Sequence, residues 1–426
     1  MTTQTMTPGG DQPLRSPGNA LRIARSVAAV PPSGIRRLFD IVTEMDDVIS
    51  LGVGEPDFPT PWRVREAAIH GLENRRVTYT GNAGLLELRE MIARYLDGRF
   101  GVSYRPQDQI LVTVGVSEAL DLALRAILEP GDEVIVVEPS YVSYKPCVLF
   151  AGGVPVPLAT RAEHGFVPQP DELEAKITPR TRAIMINSPN NPTGAAYGRA
   201  AQEAIAAVVE RHDLLVISDE VYERLSYDER HVSFASIPGM AERTLLLNGF
   251  SKAYAMTGWR LGYACGPEPL ISAMNKIHQY TALCASRTAQ EAGIEALRNA
   301  DADVEVMVDD YDARRRMVVA GLNRIGLPCR LPEGAFYVFP SIRPTGLSAA
   351  DFTEQLLMRG RVAVVPGEAF GESGAGHVRI SYAYAVPQIE EALGRIARFV
   401  ATLPNFVPEP APVRATPVAA QVPVKV

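Results

Sequence analysis

Between residues 110 and 248 short apolar runs alternate with stretches of helical periodicity, and nothing else in the chain narrows its fold so far. The runs at 110–114, 133–137, 182–187, 214–218 and 244–248 are rich in Val, Ile and Leu and too short to be helices. Helical spacing follows the first at 115–128, and follows the third at 199–211, where Ile205, Val208 and Val209 share a face. Strands alternating with helices predict an α/β fold on a mostly parallel sheet.

The polar side chains of most chemical interest share one position. Ser117, Tyr141, Asn191, Asp219, Tyr222 and Lys252 each lie just past the C-terminal end of an apolar run. In open α/β sheets ligands bind along that edge, so the pattern gathers these groups on one rim. Gly115-Val116-Ser117 also opens a helix, whose free N–H groups and dipole favour an anion.

The rest of the chain is read more coarsely. Residues 34–42 form a short amphipathic helix, and 63–73 and 84–97 carry helical periodicity. Gly52 and Gly54 imitate the start of a dinucleotide fingerprint, but Asp57 stands where its third glycine belongs and no helix opens there, so that reading is set aside. Beyond Pro267 helices are expected at 267–297, 303–325, 349–359 and 387–401, and strands at 335–339, 362–365 and 377–381.

Composition removes several function classes. The 426 residues carry a net charge of −7 with no basic stripe, which argues against nucleic acid as a partner. No apolar run reaches membrane-spanning length, and the polar N-terminus has no signal-peptide core. Cys147, Cys265, Cys284 and Cys329 are far apart and the six His show no metal spacing, so no metal site and a reducing, cytoplasmic setting are expected. The Pro- and Gly-containing first thirty residues read as disordered, and the proline-punctuated stretch from Leu403 reads as a loose polyproline-like tail.

Lys252 sits in a small-residue turn, Gly249-Phe250-Ser251-Lys252, directly after the run at 244–248. A lysine in a turn is ordinarily solvated. Here its flanks are small, aromatic and apolar, so desolvation should disfavour the ammonium and free the amine for covalent or base chemistry. Ala255-Met256 and Gly258-Trp259-Arg260-Leu261-Gly262 follow. Together these residues resemble the pyridoxal-phosphate attachment signature of the class I/II aminotransferases of fold-type I. Ser188-Pro189-Asn190-Asn191-Pro192-Thr193-Gly194 adds a second motif of that family, and the resemblance extends over roughly residues 31–401.

The resemblance implies a fold-type I transferase, with a large domain on a mostly parallel seven-stranded sheet and a smaller α+β domain. On this chain the layout is a disordered arm at 1–30, a leading segment of the small domain at 31–60, a cofactor-binding domain at 61–297, a small domain at 298–402 and a tail at 403–426. Pyridoxal 5′-phosphate is the implied cofactor, with Lys252 as its Schiff-base lysine and later the proton carrier. Arg260, Ser251, Gly115, Val116 and Ser117 are the implied phosphate site. Asp219 would keep the ring nitrogen protonated, Asn191 and Tyr222 would donate to the ring oxygen, and Tyr141 would stack on the ring. Arg379 would clamp the substrate α-carboxylate, helped by the backbone of Gly54, with Tyr141 and Asn191 also facing the substrate. Tyr79 would reach the cofactor phosphate of a neighbouring subunit, which makes a homodimer. Cis peptides are implied at Asn191–Pro192 and Glu138–Pro139.

Three positions depart from parts of the family. Gly249 stands where many members carry Ser or Thr, Tyr141 where many aspartate-specific members carry Trp, and Ser117 where some aspartate enzymes carry Lys. The implied activity is transfer of an amino group from an L-amino acid of aspartate, aromatic or N-acetyl-diaminopimelate type to a 2-oxo acid such as 2-oxoglutarate. The alternatives are a fold-type I β-lyase acting on a sulfur amino acid and a non-enzymatic regulator that senses the cofactor. The latter would need a DNA-binding domain that the polar N-terminus is too short to form.

Overall fold

The structure, a computed structural model, describes residues 23–31 and 45–412; the helix expected over 34–42 lies outside the described residues. Its central layer is one sheet of seven strands: β1 (Ile110–Val114), β2 (Glu133–Glu138), β3 (Val154–Ala159), β4 (Thr181–Asn187), β5 (Leu215–Asp219), β6 (Thr244–Gly249) and β7 (Leu261–Cys265). Their spatial order is β1-β7-β6-β5-β4-β2-β3. Every pairing is parallel except those of β7, which runs antiparallel to both β1 and β6. The α/β architecture expected from the alternating pattern is therefore present.

Alternation along each strand feeds two cores. Leu245, Leu247, Ile217 and Met185 point to one face of the sheet, while Leu246, Val216 and Ile184 point to the other. All are essentially inaccessible, which is why these strands read as unbroken apolar runs and not as half-polar ones.

The main helices, in chain order, are α1 (Trp62–Glu73), α2 (Leu86–Phe100), α3 (Gly115–Ile127), α4 (Tyr144–Phe150), α5 (Arg199–Arg211), α6 (Glu268–Thr281), α7 (Arg287–Asn299), α8 (Asp301–Ile325), α9 (Ala349–Gln355) and α10 (Val386–Val400). α3, α4 and α6 cover one face of the sheet. α1, α2, α5 and α7 cover the other. The 25-residue α8 leads away from the sheet to a three-stranded antiparallel sheet of β8 (Tyr337–Val338), β9 (Val365–Pro366) and β10 (Val378–Ser381), against which α10 brings Ile389, Ile396 and Val400 inward. Ile49–Ser50 pairs in parallel with Val362–Ala363, so the segment before α1 runs beside this C-terminal part.

Several expected elements are corrected. The single helix at 267–297 is two, α6 and α7, separated where Leu283 takes a left-handed φ of 68° and Ser286 caps α7 by accepting from Ala289 N. β3 adds to the expected strands, although Pro155 and Pro157 interrupt it. It survives as an edge strand, where prolines cost no shared ladder bond on the open side. The strand at 335–339 shrinks to two residues and that at 362–365 divides between two partners. The helix at 349–359 finishes as a π-turn at Leu356–Gly360.

At the C-terminus, residues 403–409 are docked, not loose. Leu403 is buried, Phe406 packs against the core, and Val407 N and Glu409 N donate to Pro344 O and Gly326 O. In the N-terminal arm, Arg25–Ala28 form one helical turn. Among the described residues no helix is long and apolar enough to cross a membrane.

Candidate active site

A cavity of about 800 Å³ opens at the C-terminal edge of the parallel strands. Ser117, Tyr141, Asn191, Asp219, Tyr222 and Lys252, the residues predicted to share one rim, all line it. Gly54, Val116, Ser251, Arg260 and Arg379 line it too. Gly115 sits just behind Arg260. Tyr79 does not reach the cavity of its own chain and stands 79% exposed.

Lys252 rises from the turn between β6 and β7 and its Nζ donates to Gly54 O at 2.7 Å. The side chain lines the cavity and is partly buried. That burial lowers its pKa to about 8, opposed by nearby Glu55 and reinforced by Arg379 and Arg260. The desolvated lysine expected from its small, apolar neighbours is thus present.

Asp219 ends β5 and is 7% exposed. Burial lifts its pKa to about 6, held in check by donors on each oxygen: Tyr144 Oη to Oδ2 at 2.6 Å and Val221 N to Oδ1 at 3.2 Å. Asn187, last residue of β4, binds Asp219 O through Nδ2 at 2.9 Å and receives Asn191 N on Oδ1 at 2.8 Å. The strand end and the Asn191 loop are therefore tied to each other through one side chain. Cis peptides are present at Asn191–Pro192 and Glu138–Pro139, as expected, and also at Ser188–Pro189.

The start of α3 forms a cup. Gly115 has φ of 73°, and a Cβ there would lie 2.6 Å from Nη2 of Arg260. A Cβ on Gly262 would lie 2.5 Å from Val116 N. Two glycines thus let a guanidinium and the first N–H groups of a helix crowd one point, which suits a multiply charged anion. Ser117 is not the helix cap; Glu118 instead accepts from Val114 N across the junction. Gly249 is closely packed as well: a Cβ there would lie 2.9 Å from both Val116 Cγ2 and Leu261 O.

Arg379 lies across the cavity on β10, 5% exposed and sandwiched against the rings of Tyr337 and Phe370, 4.5 and 4.8 Å from their centroids. Nη1 donates to Asn191 Oδ1 at 3.0 Å and Nη2 to Gly52 O, while buried Nε has no partner among the described residues. A buried guanidinium edge lacking an acceptor is poised for a carboxylate. Tyr222 Oη pairs with Tyr337 Oη at 2.9 Å. Gly54 is glycine for a spatial reason, since a Cβ there would fall 2.2 Å from Tyr337 Oη.

Sequence reasoning missed Tyr144, Asn187, Tyr337 and Glu55, all of which line the cavity. Two left signals. Asn187 closes an apolar strand, and Tyr144 follows Tyr141 by one helical turn's spacing. Tyr337 is hidden inside an apolar run. Among the described residues, no group of three or more His, Cys, Asp or Glu is placed to hold a metal ion.

With the geometry in hand, comparison with known proteins is specific. The family aminotransferase class I and II matches residues 46–396. An aspartate aminotransferase of Pyrococcus abyssi is 48% identical over 372 residues, 87% of this chain and 96% of that protein. An aromatic-amino-acid aminotransferase of Thermococcus litoralis is 45% identical over 372 residues, 87% of this chain and 96% of its own length. The crystal structure of an aromatic aminotransferase from Pyrococcus horikoshii superposes with a TM-score of 0.82 at 48% identity, covering 85% of this chain and 98% of that one. These relatives favour neither the β-lyase nor the regulator.

Proposed function

This chain belongs to the class I and II aminotransferases, enzymes that move amino groups on pyridoxal 5′-phosphate, and we propose that its donor is an L-amino acid of aspartate, aromatic or N-acetyl-diaminopimelate type and its acceptor a 2-oxo acid such as 2-oxoglutarate. The names of relatives support all three donor types. With Ser117 in place of a lysine, the cations that line the cavity among the described residues are Lys252, Arg260 and Arg379.

The donor set fits the cofactor. The cup of Gly115, Val116, Ser117, Ser251 and Arg260 would hold its phosphate. Asp219 would face its ring nitrogen, Asn191 and Tyr222 its ring oxygen, and Tyr141 its ring face, while Lys252 would attach it. When bound, the cofactor supplies an electron-withdrawing ring that makes the substrate Cα proton removable.

The remaining work falls to the chain. Arg379 trades Asn191 and Gly52 for the substrate α-carboxylate, which orients the Cα–H bond. Lys252 Nζ, with a pKa near 8, has a usable neutral fraction at neutral pH and takes and returns the Cα proton as base and acid. Tyr222 Oη, its pKa raised far above the usual value by burial, stays a donor throughout. The cavity walls of Tyr141, Val142 and Tyr337 exclude bulk water from the reacting atoms.

The same reading includes a homodimer. Tyr79, exposed on its own chain, is placed to serve a neighbour, with exposed Trp62, Ile69, Leu72 and Val77 nearby in sequence for the subunit contact. The reading also divides the chain into a large domain at 61–297 and a small one at 298–402, to which the segment 31–60 belongs; the parallel pairing of Ile49–Ser50 with Val362–Ala363 supports that attachment. Four unpaired cysteines agree with a cytoplasmic setting.

The observation that carries the proposal is the pairing, in one cavity, of a desolvated Lys252 with a buried Arg379 whose Nε lacks an acceptor. The test is the visible spectrum of purified enzyme with single amino acids and no 2-oxo acid. Loss of the yellow band with aspartate, glutamate, tyrosine, phenylalanine or N-acetyl-diaminopimelate would identify the donor. Release of pyruvate and ammonia without bleaching would refute the donor assignment.

A further inference from the structure

Asp219 is held by more than its own strand, and one of its holders has no role so far. Tyr144, in the first turn of α4, is 2% exposed and donates from Oη to Asp219 Oδ2 at 2.6 Å. Its ring meets that of Tyr141 edge-on, with centroids 5.6 Å apart and planes at 82°. Its backbone N donates to Tyr141 O at 3.0 Å, closing the turn that carries Tyr141. One residue therefore touches both the carboxylate and the aromatic wall of the cavity.

We propose that Tyr144 is a positioning residue of this aminotransferase, fixing the rotamer and the charge of Asp219 and seating Tyr141; this rests on the assignment of Asp219 to the cofactor ring nitrogen. The physical case has two parts. With Val221 N on Oδ1 and Tyr144 Oη on Oδ2, each carboxylate oxygen has one donor, so the side chain cannot rotate without breaking one of them. A donor to the charged form also opposes the burial that would neutralise it. The phenol is itself fully enclosed, and burial with the adjacent carboxylate lifts its pKa far above the usual tyrosine value, so it remains a donor at every working pH. The other groups facing Asp219 are Glu220 and Tyr222 on its own turn and Lys252 from the turn between β6 and β7. Of these only Lys252 favours the anion, and it becomes uncharged as the pH rises through about 8. Tyr144 is the side-chain support for the Asp219 anion that does not titrate in that range.

The test compares Y144F with D219N, each as cofactor-free protein and after loading with pyridoxal phosphate. Carbon-13 labelling of aspartate carboxyls gives the titration of Asp219, its signal identified by its loss in D219N. In Y144F that midpoint should rise above about 6, the apparent affinity for pyridoxal phosphate should fall about tenfold to a hundredfold, and the melting temperature should hold. Y144H, which keeps a ring donor, should restore part of the affinity; it also serves if Y144F fails to fold. An Asp219 midpoint unmoved in a stably folded Y144F protein would overturn the proposal while leaving the Asp219 assignment intact. If D219N itself binds the cofactor with unchanged affinity and spectrum, the Asp219 assignment is wrong and this proposal falls with it.

Discussion

Gly115→Ala isolates the anion cup from the rest of the site. Gly115 has φ of 73°, a conformation that costs alanine about 1–2 kcal/mol. The new Cβ would also lie 2.6 Å from Arg260 Nη2 and 3.0 Å from its Cζ. Relief cannot come from the backbone, because a Cβ on Gly262 would already sit 2.6 Å from Gly115 C, so those two segments are in direct contact. The guanidinium is exposed and, among the described residues, is held by a bond from Nη1 to Thr257 O at 3.1 Å, so it is the part that moves. The loss is then one charge-assisted interaction with the phosphate, about 1.5–3 kcal/mol, or a tenfold to hundredfold weaker affinity for pyridoxal phosphate. Backbone strain spread over a chain of this size lowers Tm by only about 1–2 °C. The assay is absorbance titration of cofactor-free enzyme with pyridoxal phosphate and, in parallel, with pyridoxal, which lacks the phosphate. The variant should lose affinity for the first and keep it for the second, and Arg260→Gln should add little to the loss. An unchanged ratio of the two affinities would refute the cup.

Three further outcomes follow from the geometry. Arg379→Ala should leave the yellow colour of the loaded enzyme intact but cut kcat/KM for amino acids at least about a hundredfold, since it removes a buried bidentate donor; stopped-flow bleaching reads this directly. In cofactor-free enzyme Asp219 should destabilise the fold above pH 6. Its folded pKa of about 6 exceeds the ordinary 3.8, so its stabilising effect is complete below pH 3.8 and is lost as pH rises through 6. The Asp219→Asn protein should therefore resist urea better than the parent at pH 7.5, by at most about 3 kcal/mol, and lose that advantage at pH 4. Ending the chain at residue 403 removes Phe406 and the bonds of Val407 and Glu409, and should lower stability by about 2–3 kcal/mol in denaturant melts, where a loose tail would cost nothing.

How much of this site could be read in advance depends on how local each signal is. Lys252, Asp219 and Asn191 announce themselves because each follows a short apolar run, and a parallel sheet carries the ends of such runs to one edge. Ser117 stands at a helix start after Gly115, and Arg260 stands inside the Gly258–Gly262 motif. In sequence a tyrosine one helical turn after another reads equally as a packing residue; the 2.6 Å contact with a strand end 75 residues away is what gives Tyr144 a role. Tyr337 left no signal, since in its apolar run the side chain that points toward Tyr222 and Arg379 looks like its neighbours. The helix at 267–297 was read as unbroken because Leu283, a good helix former, gives no hint of the left-handed turn that tertiary packing imposes.

The sequence by itself determined the α/β layering, the family motifs in their order and the identities of the groups that do chemistry, because hydrophobic period and residue type are local properties. Tertiary structure alone decided that Gly54, Lys252 and Arg379 face one cavity, and that Lys252 titrates near 8 and Asp219 near 6. It also decided that residues 403–409 are docked. These depend on which distant segments exclude water from a given atom. Desolvation and hydrogen-bond geometry are set by neighbours in space, and those neighbours are chosen by the packing of the whole chain.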